Sequence, residues 1–168
     1  MRRIMSTKFF NNGLGNTLFD KLKGIASEMA TFDRFLAVVG FFRSSGYFKL
    51  RKELGDISEI KILVGINIDD IFRKHNKALL MLADEDKAKE IYHNGFKEDI
   101  VNAQYSPEVE EGILQMCEDL VSERLQMRIH ATKNLHAKFY LCLPQNHSEN
   151  SDGWVIMGSS NISDSGLG

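Results

Sequence analysis

Two short segments near the end of the chain combine residue types that can bind and cleave a phosphate ester. The segments comprise His136 and Lys138 in the first and Gly158, Ser159, Ser160 and Asn161 in the second. If Leu135 to Leu143 forms a strand, the imidazole and the ammonium share one face, because side chains alternate along a strand. Small residues let an anion approach the backbone, and hydroxyl and amide groups add hydrogen-bond donors. The pattern predicts an anion-binding site.

The two segments resemble a pair of motifs that mark one protein superfamily. His136-x-Lys138 followed by Gly158-Ser159-x-Asn161 is similar to the HxK and GSxN elements of the phospholipase D superfamily, in the same order. The resemblance implies metal-independent phosphodiester cleavage through a phosphohistidine, without a cofactor, in which His136 attacks phosphorus. The groups implied to bind the phosphate oxygens are Lys138, Ser159, Ser160 and Asn161.

The sequence departs from the family pattern at two points that bear on activity. The family has an Asp where this chain has Leu143, so the role of that Asp is either vacant or taken by Asp152 in the following loop. Family sites are also assembled from two half-motifs, and this chain holds one. We therefore expect a homodimer whose twofold axis brings a second His136 to the site, where it protonates the leaving oxygen.

The ending of the chain bears on its biological setting. The sequence stops soon after the second motif, which predicts that residues 1–168 are one phospholipase D-like domain at the front of a longer protein. Chains with this ending resemble nuclease-like modules of restriction enzymes and of the N-terminus of helicase-type proteins. The segments Phe41 to Gly46 and Lys61 to Gly65 share this likeness loosely. DNA is the substrate that the resemblance favours, and a C-terminal helicase or other domain is the expected partner.

Other interpretations of the same residues stay open. A catalytically inactive phospholipase D-like module for DNA binding or dimerisation would also tolerate Leu143, and a lipid or small-molecule phosphodiesterase would use the same histidine chemistry. His136 could be a structural strand histidine, and serine and asparagine favour turns whatever their function. A metal site at His130, His136 and Asp152 is disfavoured, because it lacks known ligand spacing and has a lysine beside it. The basic residues between the first two predicted strands are either a solvated helix face or a contact to a nucleic-acid backbone; they are Arg43, Lys49, Arg51 and Lys52.

Composition limits the class of protein without deciding its partner. The chain has 168 residues, 43% hydrophobic and 26% charged, as expected of one ordered domain. Its net charge of −2 neither indicates nor excludes a nucleic-acid ligand. No apolar run approaches the length of about 20 residues that crosses a bilayer, and no secretory signal follows the basic start, so we expect a cytoplasmic protein. Cys117 and Cys142 are predicted to be buried free thiols.

Hydrophobic patterns predict the elements that must position the two segments. Continuous apolar runs predict buried strands at Phe35–Phe42 and Ile60–Ile66, joined by a helix from Ser44 to about Leu54. Because such a crossover joins parallel strands, the fold class is α/β: a mixed β-sheet flanked by helices on both faces. Other helices are predicted after Asn16, over Lys77–Tyr92 and over Phe96–Gln104. A further helix is predicted to begin at Ser106-Pro107, and its predicted inner face consists of Val109, Ile113, Met116, Cys117 and Leu120. The remaining strands are Gln126–His130, Leu135–Leu143 and Trp154–Met157.

Overall fold

The computed structural model describes residues 9–11, 13, 15–28, 31–65, 106–130 and 135–168. The described helices are α1 (Leu18–Glu28), α2 (Ser44–Leu54), α3 (Pro107–Val121) and the one-turn α4 (Asp164–Leu167). The strands are β1 (Phe32–Val39), β2 (Glu59–Gly65), β3 (Leu125–His130), β4 (Phe139–Pro144) and β5 (Trp154–Met157). The predicted helices Lys77–Tyr92 and Phe96–Gln104 lie outside the described residues.

The five strands form one mixed sheet in the order β3-β2-β1-β4-β5. Strands β1, β2 and β3 run parallel, β4 is antiparallel to β1, and β5 is antiparallel to β4. The predicted α/β class with a mixed sheet is therefore confirmed. Strands β1, β2, β3 and β5 all end at the edge where β4 begins. We call this edge the carboxyl edge of the sheet.

The described helices pack on one face of the sheet and form the core with it. Alternate strand residues point to this face and are buried, among them Phe35 and Val39 in β1 and Ile60 and Val64 in β2. Helix α1 contributes an apolar stripe to the core; its buried members are Leu18, Leu22 and Ile25. The opposite face carries partly buried apolar side chains, including Leu36, Val38, Leu63, Phe139 and Leu141.

A buried ionic network joins α2 to α3. The Asp119 carboxylate is 1% exposed and accepts hydrogen bonds from Tyr47 Oη at 2.7 Å and from Arg51 Nε at 2.6 Å. Gln115 Nε2 and Arg124 Nη1 also donate to it, each at 3.3 Å. Burial alone would raise the pKa of Asp119, but the hydrogen bonds from Arg51 and Tyr47 outweigh it and lower that pKa. We refer to these five side chains as the buried network.

Asp119 changes the orientation expected for α3. The helix begins as predicted, with Ser106 Oγ accepting a hydrogen bond from Val109 N–H at 3.3 Å and proline at its first position. Its inner face includes Met116 as predicted, and Asp119 in addition. Leu120 is 41% exposed and Cys117 is exposed, so the predictions that both face the core are wrong. An apolar pattern cannot assign an aspartate to the core.

The remaining differences from prediction are local. Helix α1 begins one residue later than expected, because Thr17 caps it: Thr17 Oγ1 accepts from Asp20 N–H at 3.2 Å, and Thr17 N–H donates to Asp20 Oδ2 at 2.9 Å. Cys142 is buried as predicted, which raises its pKa to about 12. Within the described ranges, no helix has the length and apolar character needed to cross a bilayer.

Candidate functional site

The carboxyl edge of the sheet brings the two predicted motif segments together. Lys138 immediately precedes β4 and Gly158 immediately follows β5. Gly158 N–H donates to Lys138 O at 3.2 Å, which extends the pairing of Phe139 with Met157 by one residue. Lys138 and Gly158 are 20 residues apart in sequence, yet they lie side by side because β4 and β5 form a hairpin.

Lys138 and Asn161 converge on Gly40, the residue that follows β1. A methyl group on Gly40 would lie 3.3 Å from Lys138 Nζ and 3.4 Å from Asn161 Oδ1. Most side chains at position 40 would therefore fill the space between the ammonium and the amide. Glycine keeps this space open at the end of a buried strand. Lys138, Asn161 and the exposed His136 are called the edge cluster below.

A backbone hydrogen bond orients the Asn161 side chain. Its Oδ1 accepts a hydrogen bond from Phe41 N–H at 2.9 Å. This contact identifies Oδ1 as the inward end of the amide, so Nδ2 remains as the donor end. The turn before Asn161 is held in place by the core, because the buried Tyr140 Oη donates a hydrogen bond to Ser160 O at 2.5 Å.

His136 lies in a segment without regular secondary structure and not in the predicted strand. Strand β4 begins at Phe139, and residues 135–138 have no partner on β1 in the described sheet. The physical reason is the course of β1, which leaves β4 after Val39. The expectation that strand alternation places His136 and Lys138 on one face therefore has no basis. Instead, Lys138 Nζ turns back and donates to His136 O at 2.7 Å, while the His136 side chain is exposed.

Leu135, which precedes His136, lies against the end of β2. A methyl group on Gly65 would lie 2.3 Å from Leu135 O, closer than two atoms can approach. The absence of a side chain on Gly65 is thus required for the chain to pass over this edge. Leu135 O thus lies close to the ends of both β1 and β2, and the neighbouring His136 side chain is exposed.

The two serines contribute less directly than Lys138 and Asn161. Ser159 is exposed and Ser160 is partly buried in the turn between β5 and Asn161. Among the described residues, neither hydroxyl forms a hydrogen bond with Lys138 or Asn161. Ser160 takes part through its backbone carbonyl, which holds the turn in place. The predicted phosphate-binding role of both hydroxyls remains a prediction.

The two positions considered for the missing motif Asp lie far from the edge cluster. Leu143 is 8% exposed and five residues along β4 from Lys138, which corresponds to about 17 Å at about 3.4 Å per residue. Asp152 lies in the loop that joins β4 to β5 at the opposite edge. Asp152 is therefore too remote to touch a ligand held by Lys138 and Asn161, and its substitution for the motif Asp remains a prediction. An Asp at position 143 would be equally remote.

His130 ends β3 and is paired with Gly65, so it shares the carboxyl edge with the edge cluster. Asp152, at the other edge, cannot join it and His136 around one ion. Within the described ranges, no group of three or more His, Cys, Asp or Glu side chains is arranged to hold a metal ion.

Two contributors to the site were not predicted from sequence: the Gly40 space and the Phe41 N–H group. A glycine directly after a continuous apolar run is the signal that could have indicated the first, because such glycines allow close approach at strand ends. The second has no sequence signal, since any residue supplies an N–H. No protein-family model matches this chain, and no curated protein matches it significantly.

Proposed function

We propose that this protein is a metal-independent phosphodiesterase of the phospholipase D type that cleaves DNA, with His136 as nucleophile. The observation that carries the proposal is the convergence of Lys138 Nζ and Asn161 Oδ1 beside Gly40, next to the exposed His136. A cation and an amide at one open point, with a nucleophile beside them, match what phosphoryl transfer requires.

The reaction would run in two displacements at one phosphorus atom. The His136 imidazole attacks, a P–N bond forms, and the P–O bond to the leaving group breaks as a second histidine protonates the leaving oxygen. Water then cleaves the P–N bond, which yields a phosphate monoester and restores His136. Lys138 and Asn161 Nδ2 hold the non-bridging oxygens in both steps. The contact with His136 O uses one of the three N–H bonds of the lysine, so two remain for phosphate.

The second histidine would come from another copy of this chain. A twofold axis beside the edge cluster would bring two His136 side chains to one phosphate, because a symmetric interface presents the same surface from both subunits. The exposure of His136 at the sheet edge is compatible with this arrangement. Sedimentation equilibrium would test it: a dimer is expected, and a strict monomer at all concentrations would contradict the dimeric site.

The main rival is an inactive phospholipase D-like module that binds DNA or dimerises, and its support is Leu143. The position of that residue weakens the argument, because an Asp about 17 Å from Lys138 would not touch the phosphate. The absence of an Asp at position 143 would therefore not remove a phosphate ligand. A lipid or small-molecule phosphodiesterase is the third candidate. The setting in a restriction or helicase-type protein remains a proposal based on the motif resemblance.

The finer fold proposal is a phospholipase D-like sandwich with helices on both faces of the sheet. Support comes from the face opposite the described helices, where apolar side chains of three neighbouring strands are only partly buried; they include Leu36, Val38, Leu63 and Leu141. A layer of helices would remove this apolar surface from water.

Cleavage of labelled DNA in EDTA tests the proposed function. Single- and double-stranded substrates would be incubated with the wild type, with His136→Asn and with His147→Asn, a matched change at an exposed histidine of the far loop. We expect cleavage that survives chelation, is abolished by His136→Asn and is unaffected by His147→Asn. An acid-labile covalent adduct that joins one end of the cleaved DNA to His136 through a P–N bond would be the trapped intermediate. Equal activity of the His136→Asn variant and the wild type would contradict the proposal.

A further inference from the structure

The basic residues of α2 and its start do not form one patch, because the structure separates them. Arg51 belongs to the buried network, and Lys52 Nζ pairs with Glu111 at 3.4 Å near the end of α2. Lys49 Nζ lies over the Phe19 ring and donates to Gly168 O at 2.5 Å. Of the four residues considered as a nucleic-acid contact, Arg43 alone lies beside the edge cluster.

The backbone fixes Arg43 next to Asn161. Phe41 N–H donates to Asn161 Oδ1, Phe42 bridges Ile162 in parallel, and Arg43 N–H donates to Ile162 O at 2.8 Å. Three consecutive residues thus run along the turn that carries the phosphate-binding amide. Arg43 itself has an extended backbone, precedes α2 and is exposed. Its backbone is therefore tied to the same corner as Asn161, and its cationic side chain is exposed there.

We propose that Arg43 binds the phosphate next to the scissile one, so that the site is built for a polynucleotide strand and not for a small diester. This inference rests on the proposed function. A guanidinium binds a phosphate through two parallel hydrogen bonds, and a contact of this kind positions a nucleic acid independently of its sequence. A small diester has one phosphate, which Lys138 and Asn161 already engage. Only a chain of phosphates can engage Arg43 and the edge cluster at once.

Two substrates and two variants test this role. Arg43→Gln and Lys52→Gln would each be assayed in EDTA on a single-stranded oligonucleotide and on bis(p-nitrophenyl) phosphate. We expect Arg43→Gln to lower kcat/KM on the oligonucleotide about tenfold and to reduce the slope of its salt dependence by about one. On the small diester its activity should stay within about twofold of wild type, since that substrate lacks the second phosphate. Lys52→Gln, at the far end of the same helix, should change neither activity.

Equal losses on both substrates, or no loss on either, would overturn the inference. Arg43→Lys should keep most of the salt slope, because it keeps the charge. A wild type that cleaves neither substrate would contradict the proposed function, and the binding of a fluorescent oligonucleotide then decides the role of Arg43. Weaker binding by Arg43→Gln with a smaller salt slope supports it; unchanged binding, or a wild type that does not bind, overturns it. Circular dichroism melts would show that the variant is folded.

Discussion

The buried network and the edge cluster are both built from cations and oxygen acceptors, but they meet solvent differently. In the buried network, Asp119 is sealed at 1% exposure and accepts from Tyr47, Arg51, Gln115 and Arg124. In the edge cluster, Lys138 and Asn161 are partly buried and His136 is exposed. The Lys138 ammonium donates to one carbonyl, and the Asn161 amide accepts from one N–H.

This difference in solvent exposure distinguishes groups that stabilise the fold from groups that can bind a ligand. A buried charge must have its hydrogen bonds satisfied within the protein, and the buried network meets this demand by joining α2 to α3. A binding group must keep donors for a ligand while its direction stays fixed. Asn161 shows this division within one side chain, since Phe41 N–H fixes Oδ1 and leaves Nδ2 to donate. The two clusters should therefore respond in opposite ways to substitution.

Asp119→Ala should give the largest effect, and it should act on stability. Removing one partner of a buried ion pair leaves Arg51 as an uncompensated buried charge, which costs about 3–5 kcal/mol. Urea denaturation followed by circular dichroism would measure the free energy of unfolding. Glu118→Ala, an exposed neighbour on α3, is the control and should change it by less than about 0.5 kcal/mol. Similar losses in both variants would show that the buried network has no special role.

Lys138→Met should have the converse effect, with activity lost and stability kept. The substitution keeps much of the side-chain length but removes the charge, and the loss of one such donor costs about 100- to 1000-fold in kcat. The midpoint of thermal unfolding should change little, because Lys138 is at the sheet edge. Lys23→Met, an exposed lysine of α1 paired with Glu53, is the matched control for activity. Retained cleavage by the Lys138 variant would remove the edge cluster from the mechanism.

The sequence predicts those elements whose signals are local. Strand β5 coincides with its prediction, and α3 begins at the predicted serine cap and proline. Both are specified by neighbouring residues. The end of β1 is different, because Gly40 to Arg43 leave β4 to run beside Asn161 and Ile162. Residues 135–138 thereby lack a partner on β1 in the described sheet, and no pattern within them indicates this.

For the edge cluster, the sequence predicts which residues are present but not how they are held. The motif spacing indicates Lys138 and Asn161, and the structure brings both to Gly40. The contact of Lys138 with His136 O depends on the missing ladder, and the position of Asp152 depends on the direction of the hairpin. Asp119 is the corresponding case in the core, since its burial follows from partners on α2 that lie far away in sequence.

Gly40→Ala should have a smaller effect on activity than the loss of Lys138. The added methyl group would lie 3.3 Å from Lys138 Nζ, so the ammonium must move by a few tenths of an ångström. Since misplacement by about 1 Å can cost 100-fold, we expect a loss of about tenfold in kcat/KM. Gly24→Ala is the control, because a methyl group there meets no atom within 4 Å and lies in α1. Unchanged activity of the Gly40 variant would show that the space beside Gly40 holds no ligand.

The smallest expected effect is the change in the free energy of unfolding at acid pH, which tests whether the charge of the buried network stabilises the fold. The pKa of Asp119 is lowered in the folded protein from its ordinary value of 3.8, so its carboxylate stabilises the fold above that pH and loses this contribution as pH falls through the folded pKa. The free energy of unfolding should therefore decline below about pH 4. In Asp119→Asn, which keeps the shape of the side chain without its charge, the decline should be shallower. Urea denaturation between pH 7 and about pH 3 would measure this, with Glu118→Gln as control. Parallel curves for wild type and Asp119→Asn would mean that the charge of Asp119 does not stabilise the fold, and that the two clusters differ only in burial.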